Sequence, residues 1–233
     1  MNSESTRDAD PTNRDRTRWN VDYDVDPIRV RDPAAEALAV LEPGEPFVIS
    51  YEDVVKAAGH SCPTTAGAYR IAKAGLEALY PDPDSLPVRG DVEVLAGGPR
   101  DDPAYGVTAR LVSYVTGAAG EDGFGGLAGG HGDRRNTLEY GAIDTDGISF
   151  EFTRTDVASD GADGDPGAND PPETVRVTYH VASIPEGGPA IGTLPKLIDG
   201  TASPEEREAF AADWHGRVRD ILEGERYVSV DRR

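Results

Sequence analysis

The 233-residue chain has one cysteine, one methionine and three lysines: Lys56, Lys73 and Lys196. A single cysteine excludes an internal disulfide and suits a reducing compartment. No run of 18 apolar residues occurs, so no ordinary transmembrane helix is expected. The opening stretch MNSESTRDADPTNRDRTRWN lacks the apolar segment of a secretory signal, and the expected location is the cytoplasm. Bases are scarce as a class. Lys and Arg number 23 against 43 Asp and Glu, for a formal net charge of -20. Such a surface repels phosphate backbones and anionic lipids, which excludes nucleic acid and membranes as expected partners. Concentrated salt screens the self-repulsion, so the balance fits a halophilic cytoplasm.

What is present reads as one α+β domain, with helices packed on a mainly antiparallel sheet. Residues 1–20 are polar and charged and are expected to be disordered. Residues 21–233 then form a single domain with a mobile, acidic, Gly/Pro-rich loop over 156–173. The segment DPIRVRDPAAEALAVLEPGEPFVIS is expected to add a short helix and an ordered entry segment. YEDVVKAAG reads as a helical turn ending at Gly59, and Thr64 to about Leu79 as a long helix with a small-residue face. VEVLAG reads as a buried strand. DDPAYGVTARLVSYVTG reads as a second long helix, with Asp102 as cap and Pro103 in the first helical position. TLEYGAID, GISFEFTR and VRVTYHVAS read as strands. SPEEREAFAADWHGRVRDILEG closes the chain as an amphipathic helix capped by Ser203 and Glu206, with Phe210, Trp214, Val218, Ile221 and Leu222 as its apolar stripe. Between the second helix and the strands, eight of the twenty residues from Gly117 to Asn136 are glycine. That density predicts a loop that closes over a ligand or lets backbone approach closely.

The cysteine lies two residues from one of only four histidines, in GHSCP. A thiol and an imidazole suit a borderline-soft ion such as zinc. Gly59 permits a sharp turn, and Pro63 opens a helix without losing a backbone hydrogen bond, which puts Cys62 near the N-cap. Unpaired amides there favour negative charge, for a metal ligand or a nucleophile alike. Two neighbours do not complete a four-coordinate site. His131, among glycines in GGHGDRRN, and His180, on the Arg176/Thr178 face of its strand, are the candidate further ligands. His215 reads as a surface residue beside the last helix's stripe. No Gly-Lys-Ser/Thr follows the glycines, and no strand precedes them, so neither a P-loop nor a dinucleotide fold is expected.

GHSCPTTAGAYRIAKAGLEAL, YGVTARLVSYVTGAAG and GGHGDRRNTLEYG together resemble the FmdE-like family, which takes its name from a component of formylmethanofuran dehydrogenase. The resemblance spans roughly residues 50–155. Gly59, His60, Cys62 and Pro63 fit its first motif, Thr116 and Gly117 its Thr-Gly helix end, and Asn136 its later turn. Departures are Ala58 for a histidine, Thr64 for a glycine, and Val107 and Arg110 for a cysteine and an aspartate. The resemblance implies an α+β fold and a Zn2+ or other divalent transition-metal site.

Three functions compete. The first is a metal-binding protein, an enzyme if a coordination position is open, with His60, Cys62, His131 and His180 as ligands. Glu139, Tyr140, Asp133 and Arg134 are then candidates for handling protons or an unknown small molecule. The second is a thiol enzyme with Cys62 as nucleophile. The third is a non-catalytic accessory or assembly subunit of a redox enzyme, or a homodimer, docking through Ala66, Gly67, Ala68, Ala72, Ala74 and Gly75. Loop amides with Arg134 and Arg135 are a further candidate anion site.

Overall fold

A computed structural model describes residues 17–156 and 174–233. The expected disorder over 1–20 and mobility over 156–173 therefore fall almost wholly outside the described residues. Local chemistry sets most helix ends. Asp32 caps α1 (Pro33–Ala37), its carboxylate accepting from the amides of Ala34 and Ala35. Ser50 and Asp53 form a reciprocal capping box on α2 (Tyr51–Ala58), which ends on Gly59 at φ 80°. The left-handed value at Gly59 lets its amide return to Val55 O and turns the chain sharply into α3 (Pro63–Leu79). Asp102 and Pro103 open α4 (Pro103–Thr116), as expected. After the short α5 (Leu194–Ile198), Ser203, Pro204 and Glu206 open α6 (Pro204–Glu223) with both halves of the capping box made.

The described residues form an α+β fold on a five-stranded, mainly antiparallel sheet. Its strands are β3 (Val92–Ala96), β4 (Leu138–Tyr140), β5 (Ile148–Arg154), β6 (Thr174–Tyr179) and β7 (Val228–Arg232), in the order β4-β3-β5-β6-β7. Only β3 and β4 run parallel. A parallel pair needs a long crossover, and here it comprises α4 and the glycine-rich segment. Separately, β1 (Ile28–Val30) and β2 (Phe47–Ile49) form an antiparallel ribbon around α1. The sequence pattern suggests a short helix and an ordered entry segment there, and a chain that closes on α6. The short helix is α1, to which the structure adds the β1/β2 ribbon, and it corrects the chain end with β7, whose Val230 sits opposite Val177.

Alternation makes the sheet one-sided. Phe150, Phe152, Val175 and Val177 are fully buried beneath α3. Glu151 and Arg176, opposite one another on the other face, form an ion pair at 2.7 Å. α3 lies on the sheet between α4 and α6, and it sits close because its face is small. A Cβ on Gly75 would meet Phe152 Cδ2 at 2.6 Å, and one on Gly67 would meet Tyr179 Cζ at 2.7 Å. Ala66, Ala68 and Ala72 are buried on the same helix. The small residues considered for a partner contact thus pack within the chain's own core. In α6, Val218, Ile221 and Leu222 are buried, whereas Phe210 and Trp214 stack on one another half-buried.

Candidate functional site

The GHSCP segment links α2 to α3. Cys62 is the N-cap of α3 in extended conformation, φ -153°, and its side chain makes no capping bond. Its Sγ lies 3.4 Å from Thr65 Oγ1, and Thr65 Oγ1 donates to His60 O at 3.3 Å. Thr65 has one hydroxyl hydrogen. With that hydrogen on His60 O, the hydroxyl oxygen is left to accept from a Cys62 S–H. A thiolate would need the hydrogen for itself and would release the His60 carbonyl.

Side chains distant in sequence hold this segment. Ser61 Oγ lies 2.9 Å from both Tyr23 and Tyr51 hydroxyls. Trp214 Nε1 donates to Ser61 O at 2.8 Å, and Tyr179 OH donates to Pro63 O at 3.0 Å. Tyr23 OH lies 2.6 Å from His215 Nδ1. The Tyr23 and Tyr51 rings meet edge-on at 4.9 Å, and Tyr51 and Tyr69 do so at 5.5 Å. Burial pushes the Tyr51 and Tyr179 phenols well above their ordinary value, and it raises Tyr23 against the opposing effect of its Ser61 bond. All three therefore stay protonated donors. Burial, then the nearby Arg219 charge, lowers His215, which favours a neutral imidazole accepting at Nδ1. One assignment uses every hydrogen: Tyr51 donates to Ser61, Ser61 to Tyr23, and Tyr23 to His215. His215, read from sequence as a surface residue, is half-buried and ends this chain of hydrogen bonds.

The candidate ligands are placed apart. His60 is exposed, its Nδ1 3.2 Å from Ala58 O within its own turn. His131 Nε2 lies 3.2 Å from Pro33 O, at the start of α1. His180, just after β6, has Nε2 2.9 Å from Ser229 Oγ on β7. Among the described residues, no group of three or more His, Cys, Asp or Glu side chains gathers to hold an ion. GHSCP carries two of the four donors of a closed zinc site, His60 and Cys62, each in contact with a different neighbour, so an ion held there would keep open positions.

The loop residues have structural partners. Arg134 clamps both oxygens of Asp32 at 2.6 Å, and Asp32 is only 4 % exposed. Arg89 Nη1 approaches the same carboxylate at 3.5 Å. This cluster ties the glycine-rich segment to α1. Arg135 pairs with Asp133 at 2.6 Å and holds that carboxyl down at about 2. Neither arginine is left to serve the anion site considered from sequence. Glu139 is exposed on β4, and Tyr140 borders a cavity with Arg100 and Arg110. Sequence reasoning misses Tyr23, Tyr51, Ser61, Tyr179, Trp214 and His215 as parts of the site. The only trace of them in sequence is the strand and helix phases that point Tyr179 and Trp214 inward.

No family model matches the chain, and no curated protein matches it significantly. No helix among the described residues is long and apolar enough to cross a membrane.

Proposed function

We propose that this chain is a divergent FmdE-like protein that binds a divalent transition metal, zinc first, at the start of α3. His60 and Cys62 would hold the ion, with its other positions open to water, a small-molecule ligand or a partner. The observation that carries this reading is the fixing of GHSCP. Ser61 and Pro63, the residues flanking Cys62, are bonded by Tyr23, Tyr51, Trp214 and Tyr179, while among the described residues Cys62 Sγ has only a long contact to a threonine hydroxyl. A segment serving only as a linker does not need such bracing. When bound, an ion with an open position supplies a Lewis acid. The chain's own residues supply the rest: the tyrosines orient the segment, and the Ser61–Tyr23–His215 chain keeps its hydrogens ordered.

The test is metal content by mass spectrometry on protein purified without added metal, then after titration with zinc. We expect close to one ion per chain in the wild type and marked loss in Cys62→Ala and His60→Ala. Equal stoichiometry in Cys62→Ala, or no zinc uptake by the wild type, overturns the reading.

A second reading, a thiol enzyme, is favoured by one feature. Cys62 is the N-cap of a 17-residue helix without a capping bond of its own, which puts its sulfur at the positive end of the helix dipole. Rapid stoichiometric alkylation of metal-free protein, unaffected by zinc, supports this reading over the first. The small residues of α3 lie against the sheet, so they lend no support to a docking role.

A further inference from the structure

A second site lies away from GHSCP, on the outer side of α4. Gly106, Arg110 and Ser113 recur at helical spacing and share one face of that helix. They border a cavity of about 480 Å³, within the range of small-molecule pockets. Arg100, Ala119, Gly120, Asp122, Leu138 and Tyr140 complete its lining. The walls are fixed. A Cβ on Gly106 would collide with Arg100 O, so the Arg100 backbone lies directly against α4. Thr137 and Leu138 amides both bond Ala119 O at 2.9 Å, and the Asn136 amide bonds Gly120 O at 3.0 Å. Ser113 Oγ donates to Ala118 O, which leaves its oxygen as an acceptor.

The charge of the lining points to a ligand. Acids outnumber bases 43 to 23 in this chain, and Arg31, Arg89, Arg134, Arg135, Arg154, Arg176 and Arg226 each hold a carboxylate. Arg100 and Arg110 hold none among the described residues, although Asp101 and Asp102 follow Arg100 directly and Asp122 lines the same cavity. The Asp102 carboxylate is engaged instead by the Ala104 amide of α4. Among the residues lining the cavity, two guanidinium groups stand against one carboxylate, on a chain that is strongly negative overall. The cavity walls also offer the Tyr140 ring and Leu138.

We propose that this cavity binds a small organic oxyanion, a carboxylate or phosphate ester with a flat apolar body. The oxyanion is held by Arg100 and Arg110, which match its planar or tetrahedral oxygens. The body lies along Leu138 and Tyr140. Asp122 accepts from a hydroxyl or amine on the same molecule and disfavours compact inorganic anions. None of its residues belongs to GHSCP, so failure of this proposal leaves the metal reading standing.

Calorimetric titration at fixed ionic strength tests it with three probes: para-hydroxybenzoate, phenyl phosphate and uncharged para-hydroxybenzyl alcohol. We expect one-to-one binding of at least one oxyanion, with the preferred probe telling carboxylate from phosphate, and much weaker binding of the alcohol. Arg100→Ala and Arg110→Ala, both at exposed positions, should each weaken binding about tenfold, the scale of a lost charge-assisted bond. Arg207→Ala on the exposed face of α6 should leave it unchanged. No saturable binding of either oxyanion overturns the proposal. So does equal binding of the alcohol, wild-type affinity in both cavity variants, or equal weakening by Arg207→Ala.

Discussion

Gly→Ala substitutions in two helices of this protein should move stability in opposite directions. In α3, a Cβ on Gly67 would lie 2.7 Å from Tyr179 Cζ and 2.8 Å from Cδ1, inside any real carbon contact. Tyr179 is only 2 % exposed and its hydroxyl is tied to Pro63 O, so the ring has nowhere to swing. Alanine gains about 1 kcal/mol in helix propensity. Overpacking a rigid core costs about 1–3 kcal/mol, and a contact this close belongs at the upper end. The net expectation is a loss of about 2 kcal/mol, or a melting temperature roughly 4–8 °C lower for a chain of this size. In α6, Gly216 is exposed and a Cβ there meets nothing within 4 Å. Gly216→Ala should keep the whole propensity gain and melt about 2–4 °C higher. Calorimetric melts of both variants in the same salt give the comparison. Gly67→Ala should also loosen the Tyr179–Pro63 bond and so speed alkylation of Cys62. A Gly67→Ala protein as stable as the wild type would refute the close packing of α3 on β6.

Breaking the buried Arg134–Asp32 pair with Arg134→Ala should cost about 3 kcal/mol in urea denaturation, the low end for a buried pair, because Arg89 remains 3.5 Å from the stranded carboxylate. Arg135→Ala, which breaks an exposed pair in the same loop, should leave the midpoint nearly unmoved, and equal effects would contradict the assigned roles. The depressed His215 makes stability pH-dependent. Its folded form resists protonation below the ordinary value of 6.5, whereas the unfolded chain binds the proton there. This contribution is present above pH 6.5 and is lost as pH falls from there through the lower folded value. Denaturation midpoints at about pH 7.5 and about pH 5.5 should therefore differ more in the wild type than in His215→Asn. A matching pH response in the two proteins would mean that His215 is not held neutral.

Which features could be read from residues alone depended on the range of the forces that make them. Asp102–Pro103 and Ser203–Pro204–Glu206 were legible because a cap is a bond between groups two or three residues apart. Phe150, Phe152, Val175 and Val177 betrayed their strands because a buried sheet face imposes alternation along the chain itself. β1, β2 and β7 gave no such signal. They have three, three and five residues, and each carries exposed positions, so their partners rather than their own pattern make them strands.

The candidate site divides in the same way. GHSCP was visible as a scarce cysteine and histidine at a helix start, a local pattern in the chain. Tyr23 and His215 are 192 positions apart, and Trp214 and Ser61 are 153 apart. No spacing rule connects such pairs. Their meeting is set by how closely α3 can lie on the sheet and by where α6 then packs beside it. Sequence alone determined where helices begin, which strand faces turn inward and how acidic the surface is, because each follows from neighbouring residues or from composition. Tertiary packing decided that His131 and His180 bond to other elements and that a serine between histidine and cysteine is gripped by two tyrosines, because side-chain encounters at long range exist only once the core has closed.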